Sequence, residues 1–336
     1  MKKISVPELA DRVVAGSRPH IARAITMVES LRPDHRDNAR ELLKLLAPHA
    51  GQAVRVGITG VPGAGKSTFI NAMGTKLITE HHHKVAVLAV DPSSTRTGGS
   101  VLGDRTRMGE LANLEDAFVR PSPSGGHLGG VARATRESMI VCEAAGFDVV
   151  LVETVGVGQS EVAVAGMVDT FLLLAVARTG DQLQGIKRGI LELADVITVT
   201  KADGDNAGEA RVSARELSIA MKLISADSEK RRVPVLTCSS YTGDGLDDVW
   251  KSVLDHRAWL QSSGSLDERR KEQQRQWLWN MVRDELMESL TTSDAVREAG
   301  RTAEADLDSE ATSALEGAAD ILRAYAHDVP SFSWAR

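Results

Sequence analysis

Residues 55–67 read RVGITGVPGAGKS, and this stretch decides the fold. Its first half, with Val56 and Ile58, has the β-branched residues of a buried strand. Its second half, Gly60 to Ser67, matches G-x-x-x-x-G-K-[ST] at every fixed position, and a helical pattern runs on to about Glu80. A strand, a glycine-rich turn and a helix in this order point backbone N–H groups and a helix N-terminus at one anion. The stretch therefore predicts a phosphate-binding loop.

The residue types in the loop indicate which phosphates it binds. Lys66 supplies a cation that can reach β- and γ-phosphates, and the Ser67 hydroxyl can ligate Mg²⁺. The alternative is a chance glycine turn before a helix, which leaves the match at every fixed position unexplained. We expect the loop and the first helical turn to surround the phosphates with Gly60, Val61, Pro62, Gly63, Ala64, Gly65, Lys66, Ser67 and Thr68.

Length and composition fit one large α/β domain with helical additions. The chain has 336 residues, a net charge of −6 with acids and bases interspersed, and 4% aromatic residues. This composition argues against a nucleic-acid partner, which would favour a basic patch and stacking aromatics. The longest apolar run, 162–176, is interrupted by Asp169 and is too short for a bilayer, so we expect no membrane partner.

The cysteines and the N-terminal residues predict a cytoplasmic protein. Cys142 and Cys238 lie far apart and form no C-x-x-C motif, as expected for reduced thiols. Glu8 and Asp11 stand where a secretory signal would be apolar and a transit peptide poor in acids.

Residues 53–260 alternate apolar runs with helical patterns, which is typical of a mostly parallel sheet with helices on both faces. The predicted strands lie near 54–59, 85–90, 117–120, 148–153, 170–176, 195–200 and 233–238. Helices are predicted near 6–15, 20–31 and 34–46 before this region, and near 266–290 and 309–326 after it. The predicted organisation is therefore an N-terminal helical extension (1–50), an α/β P-loop domain (51–260) and a C-terminal helical extension (261–336).

Carboxylates follow two of the predicted strands, at the sheet edge where such folds bind ligands. Asp91 ends the second strand, and Glu153 ends the fourth, so both are predicted to hold Mg²⁺ directly or through water. Gly156, three residues after Glu153, offers an N–H to the γ-phosphate. Asp104 closes the long loop after Asp91 and is either a further metal ligand or an ordinary loop residue.

The sequence Thr200-Lys201-Ala202-Asp203 ends another predicted strand and matches [NT]-K-x-D. Asp203 can accept hydrogen bonds from guanine N1–H and the exocyclic amine, which adenine does not offer in that geometry. The Lys201 stem is expected to pack over the base while its ammonium pins the phosphate loop. Backbone N–H groups of Ser239, Ser240 and Tyr241, after the last strand, are placed to meet guanine O6. The predicted nucleotide is therefore GTP or GDP.

Three polar segments leave their role open. Gly180–Arg188, taken alone, is typical of an exposed start of an amphipathic helix. His127 is either catalytic or, as most lone loop histidines are, structural. The run His81-His82-His83 is a candidate site for transferable metal, although a solvated histidine run without nearby cysteine is the more ordinary interpretation.

Six stretches together resemble the MeaB/ArgK family, the G-protein chaperones of cobalamin-dependent acyl-CoA mutases. They are GITGVPGAGKST, VLAVDPSSTRTGGSVLGDRTRM, RPSPSGG, FDVVLVETVGVGQSE, GDQLQGIKRGILELAD and TKAD. The resemblance covers nearly the whole chain and implies a homodimeric P-loop GTPase of the metal-insertase (SIMIBI) type. It implies slow hydrolysis of GTP to GDP and phosphate, stimulated by the partner mutase. Family members gate adenosylcobalamin transfer to methylmalonyl-CoA mutase and protect that enzyme.

The same resemblance implies roles for individual residues. Asp91, Asp104 and Glu153 become residues of the Mg²⁺ sphere that also position water, and Lys187 becomes part of a switch through which the mutase stimulates hydrolysis. Adenosylcobalamin is expected on the partner, because the chain has no cobalamin-binding Asp-x-His-x-x-Gly.

This chain departs from the family at 177–179, where it has Ala-Arg-Thr instead of a small run with glycine or proline. The departure leaves open whether the client is methylmalonyl-CoA mutase or a sister mutase. Two other hypotheses remain at this stage: a nickel-insertion GTPase using His81–His83, and an adaptor that binds nucleotide without turnover.

Overall fold

The computed structural model describes residues 4–30, 32–90, 108–121, 128–154, 160–177, 188–224 and 231–329. Within them the chain divides into two compact units, Met1–Gln273 and Gln274–Arg336. The boundary falls inside a helix that begins at Ser265, some residues after the boundary that the sequence suggested.

The first unit is built on one seven-stranded sheet in which every pair of neighbouring strands is parallel. The strand order is β3-β2-β4-β1-β5-β6-β7. The predicted α/β fold is thus confirmed, and each predicted strand agrees within two residues at either end. The strands are β1 (Val54–Gly60), β2 (Val85–Val90), β3 (Ala117–Arg120), β4 (Val149–Thr154), β5 (Thr170–Val176), β6 (Val196–Thr200) and β7 (Val235–Thr237).

Helices cover both faces of this sheet, which explains why its central strands are apolar at nearly every position. Along β2, Val85 and Val87 pack with one layer of helices, and Ala86 and Leu88 pack with the other. The helices that follow these strands, in chain order, are α4 (Lys66–Thr79), α5 (Gly109–Ala112), α6 (Leu128–Ala144), α7 (Ser160–Ala165), α8 (Arg188–Leu193), α9 (Asn206–Ile224) and α10 (Leu246–Ser262).

The N-terminal segment forms the helices α1 (Val6–Val14), α2 (Arg18–Glu29) and α3 (Pro33–Leu46), close to the predicted bounds. Their buried residues, among them Leu9, Ile25 and Leu42, join the core that includes Val150 and Phe171 of the sheet. These helices therefore belong to the first unit and cover one layer of it.

A network of charged and polar residues lies where β5 and β6 begin, at the sheet edge opposite the phosphate loop. Asp169 is fully buried and accepts two hydrogen bonds from Arg270. Arg270 Nε donates to Oδ1 at 2.8 Å, and Arg270 Nη2 donates to Oδ2 at 2.7 Å. Arg269 pairs with Asp195 at 3.1 Å, and the buried His256 ring bonds to Thr170 through Nδ1 at 2.9 Å. The start of helix α11 (Ser265–Thr292) is thereby fastened to the sheet within the first unit.

The second unit consists of the rest of α11 together with α12 (Asp294–Asp308) and α13 (Ala314–Asp328). The sequence prediction of one helix over 309–326 was wrong in two respects: it missed α12, and it began the last helix too early. Ser293 caps α12 by accepting from Val296 N, and Ser313 caps α13 in a capping box with Glu316. α12 and α13 pack so closely that a Cβ on Gly317 would lie 3.2 Å from Ala303 Cβ.

In the described part of the chain, no helix combines the length and the apolar character that crossing a bilayer requires.

Candidate nucleotide-binding site

The phosphate loop lies between β1 and α4, and its backbone explains the positions of its glycines. Gly63 and Gly65 have φ of 81° and 80°, in the left-handed region that glycine adopts most readily. Gly60 is constrained differently, because a Cβ there would lie 2.4 Å from the Leu174 carbonyl oxygen of β5. α4 begins at Lys66, so the first-turn N–H groups lack intrahelical acceptors and face an anion site.

Lys66 turns its ammonium back over the loop. Its Nζ donates to the Gly60 carbonyl oxygen at 2.9 Å, so the cation stands across the loop from the helix that carries it. Burial lowers the Lys66 pKa, while the nearby Glu153 and Glu161 carboxylates act in the opposite direction. Triphosphate oxygens would add further negative charge around this ammonium and so favour its charged form.

Ser67 and Glu153 provide oxygen donors that fit Mg²⁺. The Ser67 hydroxyl donates to Glu153 Oε1 at 3.0 Å, and Glu153 is only 3% exposed at the end of β4. Hydroxyl and carboxylate oxygens are the ligand types that Mg²⁺ takes, together with water and phosphate. The structure thus brings two of the sequence-predicted metal residues together.

A pair of buried threonines joins the ends of β1 and β4. Thr154 Oγ1 donates to Thr59 Oγ1 at 2.9 Å. Thr59 directly precedes Gly60 of the phosphate loop, and Thr154 directly follows Glu153. The pair therefore fixes the distance between the phosphate loop and the carboxylate. Sequence reasoning missed this link because strand adjacency had not been assigned.

Thr200, the last residue of β6, and Lys201, which follows it, both lie against the phosphate loop. Thr200 is buried, and its Oγ1 lies 2.7 Å from the Ala64 carbonyl oxygen and 3.0 Å from that of Ala175. Lys201 follows with φ of 57°, a conformation uncommon outside glycine, and its Cε lies 3.9 Å from where a Cβ on Gly65 would stand. The end of β6 and the phosphate loop therefore lie against each other at two successive residues.

Asp203 is oriented by the loop after β7. The buried Ser239 hydroxyl donates to Asp203 Oδ2 at 2.5 Å and accepts from the N–H groups of Tyr241 and Thr242. The Ser239 N–H bonds to Asp244 O at 2.9 Å. Of the three N–H groups that the sequence nominated for guanine O6, Ser240 alone makes no hydrogen bond to another described residue. The Tyr241 side chain, 93% exposed, points into solvent.

Four predicted site residues, Asp91, Asp104, Gly156 and Lys187, lie outside the described residues, as does His127. The sheet nevertheless fixes where two of these segments begin. Val90 and Thr154 are direct partners in the register of β2 and β4. The last residues of β2 and β4 therefore lie side by side at this edge of the sheet.

The histidine run lies elsewhere, after α4. His81 Nε2 is 3.4 Å from Asp247 Oδ1, and His83 Nδ1 is 2.9 Å from Asp148 Oδ2. Among the residues that the structure describes, no group of three or more histidine, cysteine, aspartate or glutamate side chains is arranged to hold a metal ion. The two histidines thus have local carboxylate partners, and Asp148 directly precedes β4, at the sheet edge away from the phosphate loop.

A parallel sheet with a phosphate loop after its first strand, and a lysine and two hydroxyl residues around that loop, defines a P-loop NTPase of the SIMIBI type. The chain belongs to the MeaB family: the family model described as methylmalonyl Co-A mutase-associated GTPase MeaB matches residues 21–295.

Similar proteins agree with this assignment. The chain is 59% identical over 293 residues to the probable GTPase Rv1496 of Mycobacterium tuberculosis, covering 87% of each chain. It is 45% identical to GTPase ArgK of Escherichia coli, covering 88% of each. A crystal structure of a LAO/AO transport system kinase superposes with a TM-score of 0.74 at 36% identity, covering 96% of this chain and 98% of that one.

Proposed function

We propose that this protein is a GTPase that gates adenosylcobalamin loading of a cobalamin-dependent acyl-CoA mutase and protects that enzyme. The observation that carries the guanine choice is the Asp203 carboxylate, held by Ser239 beside the phosphate loop. Membership of a family described as methylmalonyl Co-A mutase-associated supports the choice of partner.

Base recognition follows from the hydrogen-bond inventory around Asp203. Ser239 binds one carboxylate oxygen, and the other side of the carboxylate accepts from guanine N1–H and the exocyclic amine. The Ser240 N–H is the donor available for guanine O6. Adenine would place a donor against that N–H and would leave Asp203 unsatisfied, so it is rejected.

Hydrolysis uses charge and positioning more than proton transfer. Lys66 and the first-turn N–H groups of α4 bind the β- and γ-phosphates. Ser67 and Glu153 would hold Mg²⁺, which would supply positive charge against the charge that develops on those phosphates. In this proposal Asp91 and Asp104 complete the metal sphere, Gly156 contacts the γ-phosphate and Lys187 belongs to the partner-responsive switch. Without a strong general base in the sequence-predicted set, turnover by the protein alone is slow.

The partner carries the cobalamin, and this chain carries GTP or GDP. We also propose a cytoplasmic location and a homodimer, with 1–50, 51–260 and 261–336 as the functional segments. The dimer proposal is supported by an apolar stripe on the exposed side of α13. The stripe consists of Leu315, Ala318, Ala319, Leu322 and Ala326, with Leu315 86% exposed.

The test is steady-state GTP hydrolysis by the purified protein, alone and with a panel of cobalamin-dependent acyl-CoA mutases. We expect slow GTP turnover alone, at least several-fold stimulation by one mutase, and no ATP turnover. Glu153→Gln is the matched inactive variant, because it keeps the side-chain volume but removes the charge beside Ser67. Equal GTP turnover with and without every mutase would contradict the chaperone assignment while leaving guanine binding intact.

A further inference from the structure

The connector between α7 and β5, residues 166–169, is bonded to side chains of two other helices. Arg136 of α6 donates through Nη2 to the Gly166 carbonyl oxygen. Gln273 of α11 donates through Nε2 to the Val168 carbonyl oxygen at 2.8 Å. Carbonyl groups that follow the last turn of a helix have no donor within that helix, so side chains of α6 and α11 complete the end of α7.

Arg136 is bonded to α11 as well as to the connector. Its Nη1 donates to the Gln273 carbonyl oxygen at 2.9 Å, so one guanidinium joins the end of α7 to α11. Burial lowers the pKa of Arg136 to about 10, which leaves the guanidinium charged at neutral pH. Charged donors make stronger hydrogen bonds than neutral ones, so this bridge is a firm contact between the three helices.

The opposite end of α7 lies near the phosphate site. Glu161, in the first turn of α7, is buried, and its carboxylate is close enough to Lys66 to raise the pKa of that ammonium against the larger effect of burial. α7 and the connector also cross β1 at Gly57, where a Cβ would lie 2.7 Å from Val164 Cγ1 and 3.0 Å from Val168 Cγ2. They therefore rest directly on the strand that leads into the phosphate loop.

We propose that α7 and the connector couple the occupancy of the phosphate site to the start of α11, and that Arg136 is the positioning residue of this link. α7 has six residues and is close-packed on β1, so a displacement of its first turn is passed on to the connector. The inference rests on the proposed function for the identity of the nucleotide. Since coupling is reciprocal, whatever orders the start of α11 also changes nucleotide affinity.

The experiment is amide hydrogen–deuterium exchange on the full chain, without nucleotide and with GDP, GMPPNP or ATP, Mg²⁺ being present throughout. Peptides that cover α4 report nucleotide binding, and peptides that cover 265–273 report the start of α11. In the wild type we expect nucleotide to slow exchange at 265–273 by about fivefold or more, the lower end of usual coupling between sites. In Arg136→Met, which removes the guanidinium but keeps an extended side chain, the effect at 265–273 should fall below about twofold while α4 is still protected.

Two further variants separate positioning from general destabilisation. Arg36→Met is the matched control, because Arg36 pairs with the buried Glu137 of α6 at 3.2 Å and so ties that helix to α3. It should lower the free energy of unfolding and leave the nucleotide effect at 265–273 intact. Gln273→Met removes the amide that bonds to Val168 and should reduce the effect as Arg136→Met does, which also serves if Arg136→Met does not fold.

Three results would overturn the inference. One is a wild-type protein in which nucleotide protects α4 but does not slow exchange at 265–273. The second is a full nucleotide effect at 265–273 in both Arg136→Met and Gln273→Met. The third is an equal loss of the effect in Arg36→Met, which would mean that any loosening of α6 removes it. Protection of α4 by ATP but not by guanine nucleotides would refute the guanine proposal instead, and the same peptides with ATP would then decide the link.

Discussion

Asp203 depends on a neighbouring hydroxyl for its orientation. Ser239 donates to one carboxylate oxygen and is itself fixed by two backbone N–H groups of the following turn. In its proposed base-reading role, a side chain held in this way would lose little rotamer freedom on binding, so more of its hydrogen-bond energy would contribute to selectivity.

Replacing this carboxylate should change which base is bound. In Asp203→Asn the amide offers a donor where the carboxylate accepted, which suits the C2 carbonyl of xanthine and opposes the guanine amine. We expect GTP affinity to fall about a hundredfold or more and XTP affinity to rise above that for GTP. Competition binding with GTP, XTP and ATP measures both changes.

Asp244→Asn is the matched control, because Asp244 lies in the same loop and, among the described residues, its side chain accepts from Thr242 Oγ1 at 2.7 Å. It should leave base preference unchanged. A GTP preference that survives in Asp203→Asn would contradict the assignment of Asp203 as the guanine reader.

At the scale of elements, buried ion pairs connect the start of α11 to the sheet. Arg270 is bidentate to the fully buried Asp169 and also donates to the Gly51 and Ala53 carbonyls. A buried carboxylate that loses its cation keeps its desolvation cost without compensation. This pair therefore matters to stability far more than the exposed ion pairs on the outer helices.

Arg270→Met should destabilise the first unit by about 3–5 kcal/mol, because it leaves Asp169 charged and buried without its cation. The control is Arg297→Met, which breaks an ion pair with Asp294 whose side chains are 60% and 96% exposed. That change should cost about 0–1 kcal/mol. Urea unfolding of both variants measures the free energies, and equal losses would show that the Asp169 pair is not the stabilising contact.

Strands were predictable from sequence because parallel strands covered on both faces are continuous apolar runs, as β2 and β5 are. α12 was missed because its buried side chains are few and small. The buried residues are Val296 and Ala303. Ser293, which caps α12, and the capping box of Ser313 and Glu316 are local sequence signals that our prediction did not use.

The candidate site also has a part that was predictable from the sequence and a part that was not. The residues of the phosphate loop, and those proposed to read the base, are local in sequence, so a motif predicts them. The contacts of Thr200 with Ala64 and of Thr154 with Thr59 span 136 and 95 positions. Such contacts depend on strand order, which the motifs do not specify.

At the scale of the whole molecule, charge is distributed unequally. Residues 274–336 contain twelve acidic and six basic residues, so the net charge of −6 of the whole chain is theirs, and the first unit is balanced. The acidic unit also carries the exposed apolar stripe on α13. Like-charged surfaces repel, so a dimer formed through this unit would rely on apolar contact and should tighten with added salt.

The stripe makes the dimer testable. We expect the wild type to elute with twice the chain mass of 36.0 kDa in light scattering, and Leu315→Glu/Leu322→Glu to elute as a monomer. Leu223→Glu, on α9 and 76% exposed, is the control and should stay dimeric. A dimer that persists in the double variant would assign the interface to another surface.

Two glycines of the phosphate loop are needed for different reasons. At Gly60 a side chain would overlap the Leu174 carbonyl, whereas a Cβ on Gly63 would meet no described atom within 4 Å and only its φ of 81° restricts it. Gly60 is therefore required for the packing of the sheet, whereas Gly63 is required for the backbone conformation of the loop. A substitution at Gly60 should therefore reduce steady-state protein abundance in the cell, whereas one at Gly63 should leave abundance largely intact and yield an inert protein that still competes for its partner.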